Sequence, residues 1–330
     1  MRLRIVFVAL LLITVSVYLF NASWLAPAGS GQPVLLAHRG VHQIFHREGL
    51  KGDSCTATMI HPPSHDLIEN TLPSMRAAFN AGADIVEFDI HPTTDGHFAV
   101  FHDWTLDCRT NGKGVTRMNG LSGLKALDVG YGYSADGGRT FPLRGKGVGL
   151  MPTLDEVLAA FPDNSFFIHI KSRDRSEGDL LAARLKLLPK EQRSLLTVYG
   201  ASEPVEEVKR QLPDIRVGSS GALKNCLLGY IATGWFGRVP AACRDRVMLV
   251  PLNIAPWLWG WPNRFVARMK SANTDVFILG DYDGGSFSTG IDSAADLDRL
   301  PKSLPLGIWT NRIERIARLL ARTGEQPRPR

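Results

Sequence analysis

The chain has 330 residues, of which 44% are hydrophobic and 21% are charged, as in ordinary globular proteins. This length accommodates one large domain, such as an α/β barrel. The net charge of +6 lies at the two ends: Arg2 and Arg4 contribute +2, residues from Arg312 onward contribute +4, and residues 5–311 are neutral overall. This distribution gives no support for a nucleic-acid partner, which would need a basic face on the domain itself.

The N-terminus is typical of an export or anchor segment. Arg2 and Arg4 precede an uncharged apolar run, residues 5–20, that continues weakly to Leu25. As a helix the apolar core would be about 24 Å long, and a helix that reached Leu25 would cross a hydrocarbon layer of about 30 Å. The arginines favour a cytoplasmic N-terminus, so the domain that follows would be periplasmic or extracellular. We therefore expect residues 1–28 to be a signal anchor or, alternatively, a signal peptide that is cleaved near Ala28 to leave a secreted protein.

An exported domain makes the four cysteines interpretable as disulfides. The sequence does not choose among the three possible pairings. Closure of a short loop favours Cys226 with Cys243, which leaves Cys55 with Cys108. No C-x-x-C motif is present, so a redox site is not expected.

The chemistry-bearing stretch begins after a short linker, residues 29–33. The apolar residues 34–37 are typical of a buried parallel strand, and His38-Arg39-Gly40 follow at its C-terminal end. This end is where α/β folds place their chemistry, and arginine suits an anion while histidine moves protons near neutral pH. The pattern alone fits equally well a core strand whose end is merely capped.

A second strand, residues 84–90, carries Glu87 and Asp89 two positions apart, so both carboxylates point to the same face. Two neighbouring carboxylates repel each other unless a cation lies between them. A further short strand, residues 97–101, ends at His102, the second histidine at a strand end. These residues predict a metal-assisted acid–base site at one mouth of the fold.

The rest of the chain alternates between strand and helix patterns. Residues 41–68 are interpreted as an inserted loop after the first strand, and residues 104–150 as a long loop over the same mouth. The major strands are expected to begin at Val34, Asp84, Ser165, Leu195, Ile215, Val247, Asp275 and Leu306. Eight strands with intervening helices predict a TIM-type (β/α)8 barrel over residues 34–322, with an N-terminal hydrophobic helix and a disordered tail at 323–330.

Taken together, the motifs of this chain resemble those of the glycerophosphodiester phosphodiesterase family. The similarity spans roughly residues 34–316 and is densest before 160. The motifs that carry it are His38-Arg39-Gly40, Glu69-Asn70-Thr71, residues 82–89, Asp95-Gly96, His102-Asp103, residues 109–114, residues 127–130, residues 152–158 and residues 308–311. The resemblance implies hydrolysis of glycerophosphodiesters to glycerol 3-phosphate and an alcohol.

The resemblance also implies roles for residues. His38 and His102 would form an acid–base pair, which predicts a bell-shaped pH profile. Glu87 and Asp89 would bind one divalent cation, Ca²⁺ or Mg²⁺, and the phosphate would lie against Arg39 and Lys171. Two supporting residues are added: Glu69, expected to orient Arg39 or to approach the metal, and Trp309, expected to pack against the glycerol carbons unless it is a plain core tryptophan.

One position departs from the family. His169 stands two residues before Lys171, where the family has a third carboxylate ligand. An imidazole in place of a carboxylate removes one negative charge and favours Mn²⁺ or Zn²⁺ over Ca²⁺. We expect His169 to be a metal ligand. The same change also motivates a different hypothesis, a non-catalytic barrel that binds phosphorylated ligands.

Two further segments have alternative interpretations. His61 and His65 have the spacing of a metal pair, but Pro62 and Pro63 between them argue against a helix, so solvated loop histidines are favoured. Residues 256–262 hold three tryptophans, which either pack at the barrel mouth or contact lipid. Because an anchor would keep the enzyme near lipid, a lysophospholipase-D-like activity on lysophospholipids is the alternative within the enzyme class.

Overall fold

A computed structural model describes residues 2–27, 31–50, 54–285, 289–301 and 306–322. The expected tail at 323–330, residues 29 and 30 of the expected linker and the expected cleavage point at Ala28 lie outside these residues. The strands are β1 (Val34–His38), β2 (Ile85–Pro92), β3 (Phe98–Val100), β4 (Ser165–Ile170), β5 (Leu196–Gly200), β6 (Arg216–Ser219), β7 (Val247–Pro251), β8 (Asp275–Leu279) and β9 (Gly307–Thr310).

The helices alternate with these strands over most of the chain. They are α1 (Arg2–Asn21), α2 (Leu72–Ala81), α3 (Leu121–Lys125), α4 (Leu154–Ala160), α5 (Arg175–Lys186), α6 (Lys190–Arg193), α7 (Ser202–Gln211), α8 (Ser220–Thr233), α9 (Asn263–Ser271), α10 (Ala294–Asp298) and α11 (Ile313–Arg322). Local chemistry explains their ends. In α2, for example, the Thr71 hydroxyl caps the first turn and Gly82, with φ of 107°, ends the helix.

The eight major strands form a nearly closed parallel barrel, as predicted. Their order is β6-β5-β4-β2-β1-β9-β8-β7, and β3 adds to β2 in the antiparallel direction. The register puts His38 beside Glu87 and Asp89 beside His169. The polar residues that follow the strands therefore meet at one mouth of the barrel.

Apolar side chains fill both the barrel and its outer layer. Trp309, Phe167, Phe277 and Leu36 pack inside the ring of strands, and a larger cluster packs the outer helices against the sheet. Such interdigitated cores hold strand ends in fixed positions, which a precise site needs.

The segment 104–150 is more structured than predicted. It contains the short helix α3, a 3₁₀ turn at Thr116–Met118, and buried side chains that include Leu124, Tyr133 and Leu143. These residues share a second hydrophobic cluster with Ala57 and Ile60 of the insertion after β1. The prediction of one long loop was wrong here. The few buried residues are separated by glycine-rich turns, so they do not recur at the regular spacing by which helices and strands are recognised in a sequence.

Both disulfides follow the pairing that short-loop closure favours. Cys226 pairs with Cys243, and Cys55 pairs with Cys108. The second bridge ties the insertion after β1 to the segment that follows β3. It thus joins the two parts of the second cluster across 53 residues of sequence.

Helix α1 is the predicted hydrophobic helix. It has a mean hydropathy of 2.5 over its most apolar window, and that window is not buried against the rest of the chain. A 20-residue helix is about 30 Å long, which matches the hydrocarbon layer of a bilayer. The helix could therefore act as a signal anchor or as a signal peptide.

Candidate active site

Five of the predicted site residues line a pocket at the C-terminal ends of the strands: His38, Arg39, His102, His169 and Lys171. The volume of the pocket is about 590 Å³, which is within the usual range for small-molecule sites. Its polar wall also includes His42, Arg47, Arg173, Tyr199, Ser219, Ser220 and Asn311.

The end of β1 adopts an uncommon backbone that aims Arg39 into this pocket. Arg39 has φ of 58°, in the left-handed region, and Gly40 follows with φ of 77°. A Cβ at Gly40 would lie only 2.3 Å from Oγ of Ser74, so only glycine fits there. The turn is stabilised because the Arg39 carbonyl accepts hydrogen bonds from the Asn70 N–H and the Ser74 hydroxyl. Such strain is typical of functional positions.

The guanidinium of Arg39 is held by carboxylates. Its Nη1 donates to Oε1 of Glu69 at 3.0 Å, and its Nε lies 3.3 Å from Oδ2 of Asp89. Burial opposes ionisation, but Glu69 and Asp89 outweigh it, so the pKa of Arg39 is raised. Of the two roles expected for Glu69, orientation of Arg39 is the one that this geometry fits.

Hydrogen bonds of Asn311 fix the tautomer of His38. Asn311 donates through Nδ2 to Oδ2 of Asp292 at 2.8 Å, so its Oδ1 faces His38 and accepts from Nδ1 at 2.7 Å. Nδ1 therefore carries the proton, and Nε2 presents a lone pair. Nε2 lies 3.8 Å from Oε2 of Glu87. Burial, then Arg39 and His42, lower the pKa of His38 well below 6.5, which keeps the ring neutral at pH 7.

His102 is oriented in a similar way, but by a carboxylate. Its Nδ1 lies 2.7 Å from Oδ1 of Asp103, whose other oxygen lies 3.0 Å from Nε of Arg109. Burial, then Arg39 and Lys171, lower the pKa of His102 to about 4. The free Nε2 is thus a neutral base at physiological pH, and Asp103 would stabilise the imidazolium that forms when this base takes a proton.

Glu87 and Asp89 are fully buried and lie on the same face of β2, as their spacing predicts. Burial and the Asp89 charge raise the pKa of Glu87 to about 8. Asp89 behaves in the opposite way: Lys171, His102 and Arg39 outweigh burial and hold its pKa well below the usual range. A pair of buried carboxylates of which one resists ionisation is an arrangement that a divalent cation would stabilise.

His169 completes this group. Its Nδ1 lies 2.8 Å from Oδ1 of Asp89 and 4.0 Å from Oε1 of Glu87. One ligand atom from each of the three residues lies within 4.8 Å of the others, and no other such cluster occurs among the described residues. Two carboxylate oxygens and one imidazole nitrogen are a donor set that suits a divalent cation, so the residues fit the implied metal.

Tyr199 braces this cluster from β5. Its hydroxyl donates to Oε1 of Glu87 at 2.6 Å, and its ring stacks on the imidazole of His169 with centroids 4.4 Å apart. The two contacts orient a carboxylate and an imidazole of the candidate metal site together.

Lys171 extends the positive charge of the pocket. Its Nζ lies 3.4 Å from Oδ1 of Asp89, and the side chain is 16% exposed, so it contacts both the carboxylate and the pocket. Among the described residues, Lys171 and Arg39 are two of the four cationic side chains that line the pocket, with Arg47 and Arg173. A phosphate group is the kind of anion that Lys171 and Arg39 together bind.

Of the two alternatives for Trp309, a contact with glycerol or a core position, its burial fits the core position. Only 1% of the residue is exposed, and its ring packs 4.9 Å from that of His38 and 5.9 Å from that of Tyr199. It is therefore a core residue beneath the site and does not line the pocket. The sequence could not decide this, because a residue near the end of a barrel strand can pack inside the ring of strands or reach the pocket.

Five positioning residues were not assigned from the sequence: Asn70, Asp103, Arg109, Tyr199 and Asn311. All except Tyr199 lie within the motifs that carry the family resemblance, but the sequence did not show which side chains they contact. The sequence gives less indication that Tyr199 belongs to the site. This residue occupies the same strand register as His169, since the two residues pair across β4 and β5.

The loop histidines do not form a second metal group. The ring of His61 lies against that of His46 with centroids 4.0 Å apart and planes tilted by 52°, whereas Nδ1 of His65 contacts Gln43 and Leu67. His42 is different because it is buried beside His38, 6.0 Å between centroids, and lines the pocket.

Known proteins resemble this chain in sequence and in fold. Residues 57–203 match the glycerophosphoryl diester phosphodiesterase family model. A glycerophosphodiester phosphodiesterase of Caldanaerobacter subterraneus is 30% identical over 47% of this chain and 62% of its own length. A human lysophospholipase D is 30% identical over 56% of this chain and 57% of its own length. The chain thus spans less than two thirds of these relatives.

Solved structures show the same fold. The glycerophosphoryl diester phosphodiesterase domain of a Mycobacterium tuberculosis protein has a TM-score of 0.61 at 16% identity and covers 86% of this chain and 97% of its own. An Oleispira antarctica phosphodiesterase, solved with sn-glycerol-3-phosphate, has a TM-score of 0.54 at 20% identity over 86% of this chain and 95% of its own. By its sequence match over residues 57–203 and by its fold, this chain is similar to the glycerophosphoryl diester phosphodiesterase family.

Proposed function

We propose that this protein hydrolyses glycerophosphodiesters to glycerol 3-phosphate and an alcohol. The observation that carries the proposal is the pair of histidines, each with Nδ1 engaged and Nε2 free, in the same pocket as Arg39 and Lys171. The buried Asp89 contacts both of these cations, and Glu87 lies beside His38. A phosphodiester anion repels nucleophiles, and its alkoxide leaves poorly without a proton. In the pocket, the cations can offset the negative charge of the phosphodiester, and a histidine can supply a proton to the leaving alkoxide.

In this reaction Arg39 and Lys171 bind the non-bridging phosphate oxygens. Nε2 of His102 takes the proton from the attacking oxygen, which belongs to water or to a neighbouring glycerol hydroxyl, and the Asp103 carboxylate stabilises the resulting imidazolium. His38 is neutral in the free site, so the bound phosphodiester anion first raises its pKa and Nε2 takes a proton from water. His38 then donates this proton to the leaving oxygen as the P–O bond breaks. When water attacks, one P–O bond forms for the one that breaks.

Glu87, Asp89 and His169 would hold the divalent cation. The chemistry that it supplies is neutralisation of the phosphodiester charge. Because one ligand is an imidazole, we propose that Mn²⁺ or Zn²⁺ serves alongside Ca²⁺ or Mg²⁺. Outside the metal site, Tyr199 and Asn70 orient the carboxylates: Asn70 both donates to Oδ2 of Asp89 and accepts from its N–H.

The test is release of glycerol 3-phosphate from glycerophosphocholine by the full chain with Ca²⁺, Mg²⁺, Mn²⁺ or Zn²⁺. We expect His38→Ala and His102→Ala each to lower kcat/KM by about 10²- to 10⁴-fold. His97→Ala is the matched control, because His97 is an exposed turn residue. No release with any of the four ions would favour the non-catalytic, phosphate-binding barrel, and unchanged rates in both variants would exclude the acid–base assignment.

A lysophospholipid is the second candidate substrate, favoured by the far wall of the pocket. Beyond the polar residues the pocket continues along Leu223, Val247 and Leu249, where β6 and β7 lie side by side without a ladder among their described residues. These side chains would accept an acyl chain. Turnover of lysophosphatidylcholine against glycerophosphocholine decides between the substrates, and Leu249→Asp should impair only the former.

We further propose that residues 1–28 anchor the protein in a membrane and that residues 34–322 form the exported catalytic barrel. The exposed apolar helix α1, the arginines before it and the two disulfides support this location. The alternative is a secreted enzyme cleaved near Ala28. The mass of the mature protein, and whether it sediments with membranes, distinguishes the two.

A further inference from the structure

The C-terminal end of α1 is built into the barrel domain. Asn21 and Ala22 are buried, and Asn21 Nδ2 donates to the Trp235 carbonyl at 2.6 Å. The Asn21 Oδ1 accepts from Nη1 of Arg268 at 2.9 Å. Two residues later, the Ser23 hydroxyl oxygen accepts from the N–H of Asn263 at 2.8 Å. A flexible tether would make none of these contacts.

Apolar packing accompanies the hydrogen bonds. The ring of Phe20 lies so close to Gly237 that a Cβ there would be 2.9 Å from it. The guanidinium of Arg268 lies 5.1 Å from the same ring. The direction in which α1 leaves the domain is therefore fixed by the turn after α8 and by α9.

We call the region of the barrel that Phe20, Asn21 and Ser23 contact the seat of α1. The surface around this seat is rich in exposed apolar side chains. Trp235 and Phe236, in the turn after α8, are 42% and 47% exposed. Trp257 is 76% exposed, and the indole of neighbouring Trp259 donates to the carbonyl of the exposed Ile231 in α8. Trp24, just after α1, is 68% exposed. Aromatic residues of this kind, grouped at the end of an apolar helix, are characteristic of a membrane–water interface.

We propose that this face, formed by Trp24, Ile231, Trp235, Phe236, Trp257 and Trp259, lies in the interfacial layer of the bilayer that α1 crosses. The inference rests on the proposed anchoring by α1 and adds to it a fixed orientation of the barrel. The occupant is lipid because the seat of α1 lies within the face, so a bilayer around α1 reaches these side chains. A protein partner would have to share the space with that bilayer.

The face also connects with the pocket through α8. Ser219, Ser220 and Leu223, at the start of α8, line the pocket, whereas Ile231 and the turn after the helix belong to the face. Docking would thus hold the apolar side of the pocket at a set height above the lipid headgroups, which suits a lipid-derived substrate.

The test uses the full chain in nanodiscs of phosphatidylcholine whose acyl chains carry bromine, a short-range quencher of tryptophan fluorescence. Trp24 follows the membrane helix whatever the barrel does, so every protein compared carries Trp24→Phe. We expect this protein to lose about a third or more of its emission relative to unbrominated nanodiscs. Adding Trp235→Phe and Trp257→Phe should remove at least about half of that quenching.

Trp104→Phe is the matched control. Trp104 is 47% exposed but packs beside His91 and Arg117, away from α1, so its removal should leave the quenching intact. Phenylalanine retains an aromatic ring at each position, and the melting temperature in detergent verifies the fold. Iodide, which stays in water, should quench Trp104 and spare the face.

Absence of quenching in the Trp24→Phe protein, or equal quenching with and without Trp235 and Trp257, would overturn the proposal. Protection from iodide without quenching by bromine would also overturn it, because that pattern indicates a protein partner or a second copy. None of these readouts depends on catalysis, so glycerol 3-phosphate release by the same samples reports separately on the proposed activity.

Discussion

Nδ1 of His169 lies 2.8 Å from Oδ1 of Asp89, and the two residues pair directly across β4 and β2. The contact places an imidazole at the position where the resemblance to the family implies a carboxylate. Because the charge of the candidate metal site is thereby reduced by one, the ion that the site prefers becomes a measurable property of this chain.

Replacing His169 by glutamate should shift this preference. The His169→Glu protein is expected to bind Ca²⁺ at least about tenfold more tightly relative to Mn²⁺ than the unchanged protein does, because it adds a hard anionic ligand. Competition titrations of purified protein measure the ratio. His169→Gln, which removes the imidazole without adding charge, should weaken both ions. An unchanged ratio in His169→Glu would mean that residue 169 is not a ligand.

Tyr199→Phe tests the brace behind Glu87. The substitution keeps the ring that stacks on His169 but removes the hydroxyl that lies 2.6 Å from Oε1 of Glu87. Loss of a partner that orients a ligand typically costs about 10- to 100-fold in metal affinity, and we expect a value at the lower end. Calorimetric titration measures it. Tyr131→Phe, at an exposed position, serves as control, and equal affinities in the two variants would refute the role of Tyr199.

The pKa of Glu87 predicts how metal stabilisation depends on pH. It is raised to about 8 in the folded chain, against about 4.3 for an unfolded one. Between these values the unfolded chain loses the Glu87 proton while the folded chain keeps it, so this group contributes stability at low pH that is lost as pH rises toward 8. Metal binding requires the deprotonated carboxylate, so its affinity rises over the same range.

The increase in melting temperature caused by saturating Mn²⁺ should therefore be several degrees larger at pH 8 than at pH 5.5, since each pH unit below the pKa costs about 1.4 kcal/mol of binding free energy. Thermal unfolding at the two pH values measures this difference. Glu87→Gln should abolish both the increase and its pH dependence. A metal effect of equal size at both pH values would contradict the raised pKa.

The Cys226–Cys243 bridge should contribute to the stability of the barrel. It closes a loop with a sequence separation of 17 residues, for which chain entropy suggests about 3 kcal/mol. We expect the double variant Cys226→Ala, Cys243→Ala to lower the free energy of unfolding by roughly that amount. Urea unfolding under oxidising conditions measures it, and the corresponding pair at Cys55 and Cys108 provides a comparison. Unchanged stability would show that the bridge adds nothing beyond local packing.

Much of this protein could be predicted from local sequence. Strand starts such as Val34 and Ser165 and the ends of α2 follow from short apolar runs and capping residues, which act over a few neighbouring positions. The same-face placement of Glu87 and Asp89 follows from the two-residue period of a strand. The segment 104–150 escaped prediction because its core residues have no period.

The sequence by itself determined the order of elements, the barrel and the identity of the polar residues at its mouth, because each depends on patterns within a few residues. Only the tertiary structure decided which side chains orient the histidines and carboxylates of the site. Tyr199 reaches Glu87 across 112 residues and Asn311 reaches His38 across 273, and these contacts set the tautomers and carboxylate orientations of the site. The burial of Trp309 and the seat of α1 on the barrel were decided in the same way, because both depend on packing between segments that are far apart in the chain.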